Sequence, residues 1–135
     1  MSIDTNIVST CKYHVVFCTK YKRGVLTGDI KTRLEQIIHD VSREIGFDVL
    51  DTDINDAHVH LMLQVDPVIG VHKAVKSIKA TSYRILSNEF PELKSRIPSL
   101  WARNYFASTV GYYSENDVED FIESQECYTR SKKEQ

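Results

Sequence analysis

At 135 residues the chain has the length of a single domain, large enough to bury a real core without metal or disulfide staples. A net charge of -2, with 27% charged and 41% hydrophobic residues, is that of an ordinary soluble globular protein; it excludes a purely electrostatic nucleic-acid binder but leaves room for a local basic patch. Cys11, Cys18 and Cys127 are odd in number and without close pairing, which predicts free thiols in a reducing cytoplasm, and neither a basic-then-apolar leader nor a membrane-length apolar run is present.

Cys11 to Thr19 is rich in aromatic and β-branched residues and reads as a strand. A basic connection, Lys20-Tyr21-Lys22-Arg23-Gly24, follows it. From Gly28 to Ile45 the residues Ile30, Leu34, Ile37, Ile38, Val41 and Ile45 recur at helical spacing, and Gly46 supplies a C-terminal stop. Phe47 to Thr52 reads as a short strand, Asp53 to Ala57 as a polar turn and His58 to Val65 as the next strand. After Pro67 a helix is expected over Val68 to Leu86, and Asn88 to Arg103, with Pro91 and Pro98, reads as a loop with one turn. Asn104 to Val110 resembles a fourth strand. Ser114 is placed to cap a last helix reaching Tyr128, with Asp117 three residues on, and residues 129–135 form a charged, frayed tail.

The order β-α-β-β-α-β-α predicts one α+β domain over residues 1–135. Its expected form is a ferredoxin-like, split βαβ antiparallel sheet with helices on one face and an added C-terminal helix. There is no internal repeat and no low-complexity linker.

The chemistry centres on His58-Val59-His60. Residues two apart on a strand share a face, so both imidazoles point the same way and Val59 points oppositely. Neutral imidazole is a good metal ligand, and the pair is half of a metal site. A catalytic cation needs further ligands and open positions. On the last helix, Phe121 and Gln125 are neighbours at i and i+4. The Gln125 side-chain oxygen suits a hard ion such as Mg²⁺, and with two imidazoles Mn²⁺ is equally reasonable.

These residues carry a resemblance. His58-Val59-His60 has the form of the HUH nuclease motif, and the chain resembles the small single-tyrosine transposases (TnpA type, IS200-like) of insertion sequences. The likeness extends in order through Cys11 to Phe17, Lys20 to Arg23, Ile54 to Leu63, Lys73 to Arg84, Leu100-Trp101, Tyr105-Phe106, Thr109 to Gly111 and Phe121 to Gln125. A lone HxH is weak evidence; this ordered set covers nearly the whole chain. The resemblance implies homodimers that bind single-stranded DNA with subterminal hairpins and that cut and rejoin it with a divalent cation. It also implies a 5′-phosphotyrosine intermediate and a last helix able to complete the partner's site.

Carried over by position, His58, His60 and Gln125 match the metal ligands. The nucleophilic tyrosine corresponds to Phe121, which has no hydroxyl, so this chain is expected to bind but not cleave. An engineered Tyr-to-Phe exchange and a natural loss are both compatible with that departure, and the intact remainder favours the first or a recent loss. A second departure is Ala57, where many relatives have Asp ahead of the first histidine; Asp56, one place earlier, would face the other way on an extended strand.

The basic residues Lys20, Lys22, Arg23, Lys73, Lys76, Lys79, Arg84 and Arg103 read by themselves as solvated faces; the resemblance turns them into candidate phosphate contacts. Trp101 and Tyr105 are candidates for stacking on unpaired bases, with core packing the equal alternative for Trp101. His14 is compatible with the same sheet face or with packing, His39 and His72 read as helix-surface residues, and Tyr112, Tyr113 and Tyr128 as surface or interface aromatics. The rival functions are a domesticated, non-catalytic DNA-binding regulator on the same scaffold and, more remotely, an RNA-binding ferredoxin-like domain, which lacks its expected basic-Gly-aromatic pattern.

Overall fold

The structure is a computed structural model that describes residues 11–96, 99–110 and 122; the side chains of residues 94–96 are not part of the description. Four strands form one antiparallel sheet: β1 (Cys11–Thr19), β2 (Asp48–Ile54), β3 (His58–Val65) and β4 (Trp101–Thr109). Their order is β2-β3-β1-β4, the expected split βαβ topology. Helices α1 (Gly28–Ile45), α2 (Gly70–Glu89) and the short α3 (Pro91–Arg96) complete the described part. The expected last helix, its cap and the tail fall outside the described residues.

Strand alternation decides which face is covered. Val15 and Phe17 of β1, with Val59, Leu61, Leu63 and Val65 of β3, are buried in one cluster with Ile30, Leu34, Ile37, Ile38 and Val41 of α1 and Ala74, Val75, Ile78 and Leu86 of α2. The even-numbered residues of β3, from His58 to Gln64, are only partly buried and lie on the opposite face. Burying the apolar stripes of two helices on one sheet face satisfies both layers at once.

β1, α1 and β3 have the bounds read from the sequence. Gly46 closes α1 in the left-handed conformation at φ 101°, and the amides of Gly46 and Phe47 both donate to the Ser42 carbonyl, at 2.8 and 3.0 Å.

The other elements shift for local reasons. β2 begins one residue later than expected, since the Phe47 amide is spent on the Ser42 carbonyl, and runs on to Ile54 through a bulge: Val49 pairs with Leu63 but Asp51 with Met62, which leaves Leu50 extra and 45% exposed. The inserted residue switches the parity of the strand, so both Val49 and Ile54 reach the helix-covered side while Asp53 lies beside His60. α2 starts at Gly70 rather than Val68 because Asp66 first forms a turn, its carboxylate accepting from the Ile69 amide at 2.8 Å. It runs on to Glu89, where Arg33 of α1 makes a two-point contact with the Glu89 carboxylate at 2.8 and 3.1 Å.

The expected loop from Asn88 to Arg103 instead contains α3 and the beginning of β4. Trp101 starts that strand with its ring edge-on to Phe17, centroids 4.8 Å apart, and its Nε1–H donates to the buried Ser82 hydroxyl at 2.9 Å. Alternation fails there because the β1–β4 register shifts between Phe17 and Thr19.

Two stability predictions follow. Gly46→Ala places a Cβ in left-handed backbone and should lower unfolding free energy by about 1–2 kcal/mol in urea titrations. Ser82→Ala leaves the buried indole N–H without its acceptor and should cost about 1–3 kcal/mol, a loss that disappears when Trp101→Phe is already present.

Candidate metal centre and nucleic-acid interface

The register of β3 against its neighbours assembles the site. His58 pairs with Cys18, and His60 pairs with Val16 on one side and Asp53 on the other. The two imidazoles stand side by side on the sheet face opposite α1 and α2, ring centroids 5.2 Å apart and planes inclined by 57°. Val16 and Cys18 beside them are buried, at 1% and 2% exposure, which gives the pair an apolar floor.

Electrostatics favours the uncharged His58 ring. Burial is the main cause of its lowered pKa, followed by the His60 charge and that of Lys22; Asp56 and Asp53 oppose the shift. A neutral ring is the form that ligates a metal. The Nδ1 atom of His58 is buried and has no hydrogen-bond partner among the described residues, whereas Nε2 lies 2.6 Å from the Asn55 side-chain amide. An orphaned ring nitrogen beside a second imidazole fits a cation. Among the described residues no group of three His, Cys, Asp or Glu side chains is placed to hold a metal, and the candidate ligands they include are the histidine pair. Gln125 and Phe121 lie outside the described residues, as do Tyr112, Tyr113 and Tyr128.

The basic turn after β1 reaches this centre. Tyr21 and Lys22 both have positive φ, 59° and 52°, an uncommon backbone for such side chains. The turn is held by the Thr19 hydroxyl donating to the Arg23 carbonyl at 2.7 Å and by the Lys20 amide donating to the Leu100 carbonyl at 2.9 Å. It brings Lys22 close enough for its charge to act on both His58 and Cys18; burial nevertheless leaves the Cys18 thiol raised above its ordinary pKa.

The residues around the turn before β3 are disposed differently from one another. Asp56 lies against Gly24, whose missing Cβ would come within 2.8 Å of the carboxylate. Ala57 offers only its carbonyl, which accepts from the Thr19 amide at 2.8 Å. Asn55 is the contact that sequence reasoning missed. An amide three residues ahead of His58 was the available signal, but it read as ordinary turn composition.

The helix-covered side has a second feature at its β4 edge. A cavity of about 450 Å³ opens between α2 and β4, lined among others by His72, Lys76, Tyr83, Trp101, Arg103 and Tyr105. The Tyr105 hydroxyl hydrogen-bonds His72 Nδ1 at 2.8 Å and the two rings stack at 5.9 Å, so His72 is part of a wall rather than an isolated surface residue. Trp101 is in the core, at 6% exposure.

The basic residues therefore divide into groups. Lys76 and Arg103 are exposed at the cavity. Lys79 also lines it, but its ammonium donates to the Ala102 and Arg103 carbonyls at 2.8 and 3.2 Å and ties α2 to β4; burial lowers its pKa. Lys73 and Arg84 are exposed on α2 outside the cavity wall, and Lys20, Lys22 and Arg23 form the turn at the histidine end of β1.

The arrangement has close counterparts. A family profile described as "Transposase IS200 like" matches residues 7–125. The ISDra2 transposase TnpA of Deinococcus radiodurans is 31% identical over 116 residues, covering 84% of this chain and 83% of that protein. The transposase for insertion sequence element IS200 of Salmonella typhimurium is 27% identical over 117 residues, covering 85% and 76%. Among solved structures, a protein described as a transposase from Deinococcus radiodurans R1 superposes with a TM-score of 0.83 at 28% identity, covering 93% of this chain and 98% of that one. A REP-associated tyrosine transposase bound to a REP hairpin shares the fold, with a TM-score of 0.58 at 11% identity over 89% of this chain and 68% of that one. With a profile match across nearly its whole length and a sheet that carries the paired histidines on the face opposite α1 and α2, the chain belongs to the IS200-like transposase family.

Proposed function

We propose that this chain is an insertion-sequence transposase that binds hairpin-bearing single-stranded DNA and a divalent cation, Mg²⁺ or Mn²⁺, and that Phe121 disables its cleavage step. The observation that carries the reading is the buried Nδ1 of His58, without a hydrogen-bond partner among the described residues, beside His60 on the sheet face opposite α1 and α2. His58 and His60, with Gln125 as third ligand, would hold the ion, which when bound polarises a phosphate oxygen as a Lewis acid. Lys22 adds a positive charge at the same end of the sheet, suited to the phosphate being handled. The α2–β4 cavity, with Lys76 and Arg103 over aromatic walls, suits DNA backbone and unpaired bases. A fold neighbour solved with a REP hairpin is in keeping with a hairpin ligand. The working unit is a homodimer acting in the cytoplasm; among the described residues no helix is long and apolar enough to cross a membrane.

Phe121 favours a second reading, a domesticated regulator that binds DNA and never cuts it. Phenylalanine has no oxygen to attack phosphorus, so the unsubstituted chain forms no phosphotyrosine at that position.

Two measurements test the proposal. Phe121→Tyr, mixed with labelled single-stranded DNA from the ends flanking its gene and Mn²⁺, should give a labelled protein band on a denaturing gel, and the unsubstituted chain should give none. Binding without a band in either protein favours the regulator, and a band in the unsubstituted chain moves the nucleophile to another tyrosine, Tyr128 first. Lys76→Ala and Arg103→Ala should each weaken hairpin binding and reduce the slope of log affinity against log salt by about 1; an unchanged slope in both places the phosphate contacts elsewhere.

A further inference from the structure

We propose that Asn55 is a positioning residue for His58: by engaging Nε2 it sets the ring tautomer that leaves Nδ1 as the open lone pair. The inference rests on the reading that His58 and His60 hold a cation. Two contacts join the residues. The Asn55 amide N–H donates to the His58 carbonyl at 2.9 Å, which closes the turn between β2 and β3, and the side-chain amide lies 2.6 Å from Nε2. The turn itself is pinned by the pairing of Ile54 with Val59 immediately inside it.

A neutral imidazole carries one N–H and one lone pair, so whatever engages one nitrogen decides the state of the other. When the Asn55 NH₂ donates to Nε2, the ring proton sits on Nδ1, a buried N–H with no acceptor among the described residues. A half-turn of the amide fills the same space and presents Oδ1 instead. Nε2–H then donates to Oδ1, and Nδ1 is a buried lone pair with no donor among the described residues. Only the second arrangement can take a cation, and the cation in turn satisfies the atom that is otherwise orphaned.

The neighbours do not duplicate this role. Ala57 has no polar side-chain atom, and the Asp56 carboxylate lies against Gly24. An orienting group supplied from three residues upstream thus accounts for how His58 remains a competent ligand without an acid directly before it.

The test is Mn²⁺ titration calorimetry on the unsubstituted chain and on Asn55→Ala, Asn55→Asp and His58→Ala, with ¹⁵N NMR of the imidazoles in the metal-free proteins. Asn55→Ala should lower Mn²⁺ affinity about 10- to 100-fold. Asn55→Asp, whose carboxylate can only accept from Nε2–H, should retain it. The unsubstituted chain and Asn55→Asp should show the Nε2–H tautomer at His58, and Asn55→Ala should lose that preference. Should Asn55→Ala fail to fold, the tautomer in the other two proteins decides. An Nδ1–H tautomer in the unsubstituted chain, or full affinity in folded Asn55→Ala while His58→Ala abolishes binding, overturns the positioning role alone. Unchanged affinity in His58→Ala overturns the histidine metal centre and this inference with it.

Discussion

The central pairing of β3 with β1 is the constraint on which the site depends. Leu61 and Leu63 must lie under α1 and α2, and once they do, the period of two leaves His58 and His60 no choice of face. A slip of one residue would bury both imidazoles and expose four large apolar side chains. The face that carries the histidines is therefore specified by the hydrophobic core rather than by interactions of the histidines themselves.

The sheet also keeps two kinds of chemistry apart. The histidines occupy the face opposite α1 and α2, whereas the α2–β4 cavity belongs to the side those helices cover and reaches solvent at the β4 edge. Tyr105, which stacks on His72, and Phe106, which pairs with Val16 on the histidine side, are adjacent residues of one strand facing opposite ways. β4 is thus a wall shared by both regions. Lys79 fastens the start of that wall to α2 through two carbonyls, which explains why a lysine in an otherwise basic stripe has been withdrawn from the solvent face.

Legibility in the sequence followed the regularity of the local pattern. β1, α1 and β3 were readable because their apolar residues keep an uninterrupted period and Gly46 marks a stop. The bulge at Leu50 was not, because one inserted residue reverses parity in the middle of a strand already short and acidic. The start of β4 was hidden by a register shift that places Arg103 and Asn104 outward in succession, and the loop expected ahead of it had room for α3. Of the centre, the histidine pair was plain from its spacing. Asn55 was not, since its role comes from a turn bringing a side chain back over the strand that follows, and the contribution of Lys22 depends on a backbone with positive φ that composition does not announce.

The strand order carries a consequence for how such a chain comes into being. β1 is made first yet lies in the interior of the sheet, flanked by β3 and β4, which are synthesised well after it. Its β3 edge waits until residues 58–65 have been made, and the edge meant for β4 is satisfied only when nearly all of the described chain has left the ribosome. A nascent or truncated product ending before Trp101 would retain an aromatic, β-branched strand open along one side, with aggregation or chaperone capture as its natural fate. Folding of the described sheet is in this sense gated by β4, the last of its described strands.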